Sequence, residues 1–214
     1  MKNYLLLFSL LALLNCSKEN SAVAESSTNP TVIAEEKIKN LPQEQVKSPV
    51  SEEIKKLNDE ILETLKNRDI AAFAQFIHPE KGVLFSMYGY IDPETNKHFS
   101  RADFKRYSNT NTKFTWGAKD GTGQALVLSI QDYLTTWVFK KDFSAAEYYY
   151  NVFKGSGNSL NNLKSIYPDA IFTENYIAGT EEYGGMDWNS LRFVFEKFEG
   201  NYYLVAVVND QWTV

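Results

Sequence analysis

The sequence has very little cysteine and histidine: Cys16 is the only cysteine in 214 residues, and there are two histidines, His78 and His98. A single cysteine excludes an intramolecular disulfide, and its position ahead of the folded part excludes thiol catalysis and cysteine-rich metal sites there. The histidines show no H-E-x-x-H or similar zinc-binding spacing. We therefore expect no metal site and no cofactor.

Clusters of basic side chains and catalytic motifs are also missing. The formal net charge is −5, and no Lys/Arg cluster is interleaved with aromatic residues, so nucleic acid is not an expected partner. No G-x-S-x-G elbow occurs, and no Ser/His/Asp spacing stands out. Asp120-Gly121-Thr122-Gly123 lacks the further acids and closing Glu of a calcium loop, so a turn is predicted there.

The start of the chain carries an apolar run of eleven residues, Tyr4 to Leu14, after Lys2. A bilayer core of ~30 Å needs about 20 helical residues, so the run predicts a signal peptide over residues 1–15 and not a membrane span. Its end, Leu13-Leu14-Asn15-Cys16, resembles the lipobox of bacterial lipoproteins, in which the cysteine is lipidated and becomes the first residue. Asn15 departs from the usual Gly, Ala or Ser, so an ordinary secretory signal with an unmodified cysteine is the alternative.

If Cys16 is lipidated, the protein is exported and held at a membrane surface of the cell envelope. Residues 16–50 are mostly polar and contain three prolines, which predicts a disordered tether with a reach of roughly 30 Å. Residues 51–214 hold nearly all the aromatic residues and are predicted to form a single domain.

Local signals predict where several helices of this domain begin. Ser51 is a fitting N-cap ahead of an apolar stripe, and Asp69 can cap a second, short helix that ends at His78-Pro79. Ser100 is another plausible helix start, and Ser129 with Asp132 resembles a capping box. Between these helices, the apolar residues from Gly82 to Tyr90 predict a strand.

The last part of the chain is predicted to be mainly strand. Residues 170–177 are β-rich, and Leu191, Phe193 and Phe195 alternate with residues that include Arg192 and Glu196. A Gly200-Asn201 turn joins this strand to the apolar residues 203–208, which should form a central strand covered on both faces. The face that carries Arg192 must meet either solvent or a polar cavity.

Two N-terminal helices that end in a His-Pro step, a strand and a long terminal hairpin resemble the nuclear transport factor 2-like, or cystatin-like, fold. This resemblance covers residues 51–214 and implies an α+β class, with N-terminal helices packed on a curved, mainly antiparallel sheet. A helical and loop segment would be inserted over residues 100–165.

Three motifs also resemble those of a group of uncharacterised exported bacterial proteins and lipoproteins. They are residues 78–83 (HPEKGV), 116–123 (WGAKDGTG) and 182–188 (EYGGMDW). The resemblance implies location and fold, and no activity.

Aromatic residues are the strongest functional signal, at 14% of the chain. Trp116, Tyr183 and Trp188 lie near glycines or turns, where flat rings with a polar handle suit sugars, peptides or protein partners. The alternative is that these rings fill the core. Residues 183–188 are predicted to be first an irregular corner that leads into a strand, with Asp187 or Asn189 bonding nearby backbone groups.

His78, Asp187 and Arg192 complete the set of candidate ligand-binding residues. His78 either bonds the end of its helix or lines the mouth of a cavity. We expect a non-catalytic binding domain for a small ligand or an envelope protein. In some relatives of the implied fold, a cavity aspartate or histidine transfers a proton, so the alternative is an isomerase- or dehydratase-like enzyme that uses His78 or Asp187.

Overall fold

The computed structural model describes residues 48–213. The predicted signal peptide, Cys16 and the tether as far as residue 47 lie outside the described residues. Contacts divide the chain into residues 1–44 and 45–214, and everything below concerns the second unit.

The first helix, α1 (Pro49–Asn67), begins three residues before the predicted start. Ser48 is the N-cap, and its hydroxyl accepts from the Ser51 N–H at 3.1 Å, while the Ser51 hydroxyl accepts from the Ser48 N–H at 2.8 Å. The prediction that Ser51 is the N-cap is therefore wrong, because Pro49, whose fixed φ suits the first helical turn, places Ser51 at the third helical position.

Two short helices begin at the predicted caps. Asp69 accepts from the Ala72 N–H and caps α2 (Ile70–Phe76), after Arg68 has ended α1 in the left-handed region with φ of 57°. Ser100 accepts from the Asp103 N–H and caps α3 (Arg101–Ser108). These predictions are confirmed because each cap depends on hydrogen bonds between residues close in sequence.

The remaining helical segments are single turns or slightly longer. Ser129 caps α4, as predicted, and the chain continues from α4 into a π-helical turn at Leu134–Val138. These segments are α4 (Ile130–Tyr133), α5 (Leu163–Ile166), and 3₁₀ turns at Phe143–Ala145 and Glu181–Tyr183.

Eight strands occur within residues 48–213, and six of them form one sheet in the order β2-β1-β8-β7-β6-β5. Only the β1–β8 pair is parallel, so the sheet is mixed and mainly antiparallel, and β2 and β5 are its open edges rather than partners in a closed barrel. The other two strands, β3 and β4, form a separate hairpin. The bounds are β1 (Val83–Ser86), β2 (Lys97–Phe99), β3 (Phe114–Ala118), β4 (Ala125–Leu128), β5 (Glu147–Tyr150), β6 (Ile171–Ile177), β7 (Asn189–Phe198) and β8 (Asn201–Gln211).

Strand β1 is shorter than predicted from the apolar residues 82–90. The Ser86 hydroxyl donates to the carbonyl oxygens of Tyr88 and Tyr90, at 2.8 and 2.9 Å. These bonds bend the chain away from the sheet, so the prediction of a continuous strand to Tyr90 is wrong.

The terminal hairpin provides the centre of the sheet. Glu199 and Gly200 form its two-residue turn with φ of 48° and 90°, one residue earlier than predicted, because a tight hairpin turn needs positive φ at both positions. Strand β8 lies between β1 and β7 and is buried from Leu204 to Asp210. The prediction of a central strand covered on both faces is confirmed.

Both faces of the sheet are covered. On one face lie helices α1 to α4 and the β3–β4 hairpin, with a core built around Phe85, whose ring contacts Phe104, Trp116 and Tyr133 among others. On the other face a second cluster includes Leu84, Val194 and Ala206 from the sheet and Leu163 from α5. The chain between β5 and β6, residues 151–170, forms that second cover and is named the strap below.

Candidate functional site

Three charged side chains on adjacent strands form a buried network beneath the strap. Arg192 on β7 lies opposite Glu174 on β6, and Ser190, on the same face of β7, lies opposite Asp210 on β8. The Arg192 guanidinium donates to Asp210 Oδ2 at 2.8 Å and to Glu174 Oε1 at 3.2 Å. The Arg192 and Glu174 side chains are 0% exposed, so Arg192 meets neither solvent nor an open cavity.

The strap closes over this network through its backbone. The Lys154 and Gly155 N–H groups each donate to the Glu174 carboxylate at 2.9 Å, and Arg192 Nη2 donates to the Gly155 carbonyl at 3.0 Å. The Ser190 hydroxyl also donates to Glu174. Glu174 therefore accepts from four donors, which satisfy the hydrogen-bonding capacity of its buried carboxylate.

The network holds two carboxylates and one guanidinium. Burial raises the pKa of Asp210, although its ion pair with Arg192 acts in the opposite direction. The Phe153 ring lies 5.1 Å from the Arg192 guanidinium carbon, and Arg192 Nε has no hydrogen-bond partner among the described residues. The geometry fastens the strap to the sheet and leaves no room for a substrate beside Arg192.

Trp188 belongs to the same cluster. It is 5% exposed, and its ring lies 6.1 Å from the Tyr176 ring. A Cβ added at Gly155 would stand 2.6 Å from the Trp188 ring, and one added at Gly157 would stand 2.9 Å from it. Trp188 therefore packs against the glycines of the strap, at a distance that only a residue without a side chain allows.

Asp187 fixes the corner before β7, as its position in the sequence predicts. Its carboxylate accepts from the Thr180 N–H at 2.6 Å and from the Thr180 hydroxyl at 3.2 Å, and these bonds lower the pKa of Asp187. Lys141 donates to the Asp187 carbonyl at 2.9 Å. Tyr183 lies on the same corner, and 56% of its side chain is exposed.

His78 is buried between the Phe198 and Tyr203 rings, at centroid distances of 5.2 and 6.0 Å. Its Nδ1 accepts from the N–H groups of Glu80 and Lys81, at 3.2 and 3.0 Å, so the ring is neutral with its proton on Nε2. Burial lowers the pKa of His78, an effect that nearby Glu196 partly opposes.

Trp116 lies in the centre of the core. It is 0% exposed, stacks on Tyr133 with ring centroids 3.6 Å apart, and donates from its indole N–H to the Leu128 carbonyl at 3.0 Å. Its ring is therefore part of the core.

The six candidates within the described residues therefore fall into four places. Trp188 and Arg192 share the buried network, and Tyr183 and Asp187 lie on the adjoining corner. His78 and Trp116 are separate from both groups and from each other. Sequence reasoning missed Glu174, Asp210 and Gly155, because their positions beside Arg192 depend on strand register and on the path of residues 151–170.

Open clefts lie elsewhere on the surface. One of about 520 Å³ lies between the β7–β8 hairpin and residues 166–171, with Lys81 on its rim, and is named the hairpin cleft. Two others, of about 410 and 380 Å³, lie beside the end of α1 and between α2 and α3. Neither His78 nor Asp187 lines any of these three clefts.

Metal-binding groups and membrane-spanning helices are absent from residues 48–213. In that part of the chain, no three His, Cys, Asp or Glu side chains are grouped so as to hold a metal ion. None of the helices there has the length and apolar character to cross a membrane.

Comparisons with known proteins identify little that is similar. No protein-family model matches the chain, and no curated protein matches it. Among solved structures, Aln2 from a Streptomyces species is similar over 78% of this chain and 94% of that chain, with 11% sequence identity and a TM-score of 0.36.

Proposed function

We propose that the protein is an exported envelope lipoprotein, anchored through lipid on Cys16, whose domain binds a protein partner without catalysing a reaction. We also propose that the domain is a nuclear transport factor 2-like, cystatin-like roll. Helices α1 and α2 on one face of a mainly antiparallel sheet support that fold. The lipobox-like residues 13–16 and the polar residues after them support the anchor.

One observation carries the binding proposal: exposed apolar side chains gather at one end of the sheet, named the distal end. Asn189, the first residue of β7, pairs with Gln211, the last of β8, so the corner before β7 and the residues after β8 share this end. The corner carries Tyr183 and Met186, which are 56% and 50% exposed, and Trp212 is 40% exposed.

Tyr90 and Leu160 lie at the same end. The backbone before Tyr90 approaches Asp210, because a Cβ at Gly89 would stand 2.8 Å from its carboxylate. Leu160 follows two strap residues that bond Thr213. Tyr90 and Leu160 are 53% and 76% exposed. Exposed apolar groups gathered in one place are typical of interaction surfaces.

Helix α1 begins toward the other end of the sheet. Asn58, midway along α1, bonds Thr173 and Asn175 on β6, and Lys66 near its end pairs with Asp142, shortly before β5. Strand β5 begins opposite Tyr176, which lies at the distal end of β6. The end of α1 therefore lies near the distal end, and its start lies away from it.

The alternative of proton transfer has less support. It requires an accessible acid or base beside an apolar cavity. His78 is enclosed by aromatic rings and uses Nδ1 as an acceptor, and Asp187 uses both oxygens to hold Thr180. Trp116 and Tyr133 stack on each other in the core and line none of the three clefts.

Site-specific photo-cross-linking in the native cells tests the partner. The full chain would carry p-benzoylphenylalanine at Leu160 or at Tyr183, two exposed positions on different segments of the distal end. We expect both positions to give one adduct of the same mass that contains an envelope protein.

Val152 is the matched control, because it is an exposed apolar residue, 38% exposed, that follows β5 at the opposite end of the sheet. An equal adduct at Val152, the absence of an adduct at both distal positions, or an adduct with twice the mass of this chain would contradict the proposal.

A further inference from the structure

The hairpin cleft combines an apolar floor with charged rims. Ile166, Ala170, Ile171 and Phe195 line it with apolar side chains. Its volume of about 520 Å³ is inside the range of ~300–1,000 Å³ that small-molecule sites occupy. The cleft is open to solvent and lies away from the distal end, beside the turn of the β7–β8 hairpin.

One pair of charges on the cleft wall is already satisfied. Lys81 reaches across β8 to form an ion pair with Glu196 on β7. The Tyr167 side chain stands beside this pair, and burial, together with the negative charge of Glu196, raises its pKa to about 12. The Tyr167 hydroxyl therefore stays protonated at neutral pH and can donate a hydrogen bond.

Two further charges of opposite sign remain available in the cleft. Asp169 is exposed, and within residues 48–213 its carboxylate has no hydrogen bond or ion pair. The Lys197 ammonium lies 5.5 Å from the centroid of the Tyr202 ring, and it likewise has no ion-pair partner in the described part of the chain. A cation over a ring keeps its N–H donors free for another acceptor.

We propose that the hairpin cleft binds a short peptide with free termini. Its ammonium group pairs with Asp169, its carboxylate pairs with Lys197, and an apolar side chain lies on the floor between them. Charge complementarity selects a zwitterion, because a ligand with one charge leaves the opposite rim group unused. This site is independent of the distal end, so it does not depend on the proposed protein partner.

Calorimetric titration of the full chain tests this site with three probes that differ only at their termini. They are the dipeptide Ala-Phe, its N-acetyl form and its C-terminal amide. We expect Ala-Phe to bind with measurable heat, and each cap to weaken binding about tenfold, the low end of what a hydrogen bond to a charged group contributes.

Two substitutions assign each terminus to its rim group. In the Asp169→Asn variant, the affinity for Ala-Phe should fall about tenfold. N-acetylation of the peptide should then cause no further loss of affinity, because the charged partner of the ammonium group is already absent. In the Lys197→Gln variant, the affinity for Ala-Phe should also fall about tenfold, and the C-terminal amide should cause no further loss. Both side chains are exposed, so neither change should alter the fold.

Glu182→Gln and Lys113→Gln are matched controls, because they remove the same charges at exposed positions outside the cleft. Both should bind Ala-Phe as the unaltered chain does. Absence of binding by Ala-Phe, equal binding of all three probes, or unchanged affinity in both cleft variants would overturn the proposal, whatever the cross-linking at the distal end shows.

Discussion

Arg192 is a charged side chain without solvent exposure, and its surroundings explain how the interior tolerates it. Its guanidinium contacts two carboxylates and the Gly155 carbonyl. Removing a charge from water costs several kcal/mol, which a buried ion pair offsets only when geometry and further hydrogen bonds are good. The four donors to Glu174 supply those bonds.

Arg192→Met should lower the free energy of unfolding by about 3–5 kcal/mol at pH 7, because Glu174 and Asp210 are then buried without their cation. Burial raises the pKa of Asp210, so protonation of Asp210 relieves part of this cost, and the deficit should shrink as the pH falls toward 4. Urea unfolding at both pH values measures it.

The triple variant Arg192→Met, Glu174→Gln, Asp210→Asn is the control, since it removes all three charges together. It should be more stable than the single variant at pH 7. A single variant as stable as the unaltered chain would mean that the network does not hold the strap.

His78 makes the stability of the domain depend on pH in the mildly acidic range. Its folded pKa is lowered from 6.5, so at falling pH the unfolded chain takes up a proton before the folded chain does. The stabilisation is present above pH 6.5 and is lost as the pH falls through the lowered pKa of the folded state. We expect urea midpoints to decrease from pH 7.5 to pH 5.

His78→Gln should flatten this decrease while lowering stability at pH 7.5. His98→Gln is the control, because His98 is exposed, and it should leave the slope unchanged. Parallel slopes for the His78 variant and the unaltered chain would show that another group causes the pH dependence.

Among single residues, the sequence indicated Arg192 as unusual but did not indicate its partners. A charged residue on an otherwise apolar strand is visible in the sequence, whereas its neighbours depend on strand register, which pairs residues 18 apart in the chain. For Trp116, a visible sequence signal pointed to the wrong environment. Glycines beside an aromatic ring suggest access for a ligand, yet Gly117 allows close approach by Met87 instead, because an added Cβ would stand 2.9 Å from its sulfur.

The strap is the element that neither composition nor periodicity predicts. Only one short helix, α5, interrupts residues 151–170, and their position depends on contacts with strands far along the chain. By contrast, Asp69, Ser100 and Ser129 were predictable as caps, because their partners lie three residues away. The β7–β8 hairpin was predictable because alternation and the turn specify register locally.

Gly155→Ala tests how closely the strap lies on the sheet. The new methyl group would overlap the Ser190 hydroxyl and would stand 2.6 Å from the Trp188 ring and 2.9 Å from Glu174 Oε1. Thermal unfolding should show a loss of about 1–3 kcal/mol, the usual cost of overpacking.

Ser156→Ala serves as the matched strap variant, because Ser156 is exposed. It should change stability by less than about 0.5 kcal/mol. Equal stability of both variants would indicate that the strap can move away from the sheet without lowering the free energy of unfolding.

For the whole molecule, the two proposed binding surfaces lie at opposite ends of the sheet. The distal end carries Tyr183, Leu160 and Trp212, and the hairpin cleft lies beside the turn at the other end of β7 and β8. A protein partner at the distal end and a peptide in the cleft would therefore not compete for the same surface.

Cys16→Ala tests the proposed lipid anchor. Because Cys16 is the only cysteine, fatty-acid labelling of the native chain has no other thiol to use. A single acyl chain binds membranes only marginally, whereas several chains anchor stably. Cys16→Ala should therefore abolish labelling and move the protein from the membrane to the soluble envelope fraction, while the urea midpoint of its domain stays unchanged. Ser17→Ala, which alters the neighbouring polar residue, is the control: this variant should still be labelled and should stay in the membrane fraction. Labelling that persists in Cys16→Ala would exclude lipidation at this cysteine and leave the ordinary secretory signal as the remaining interpretation.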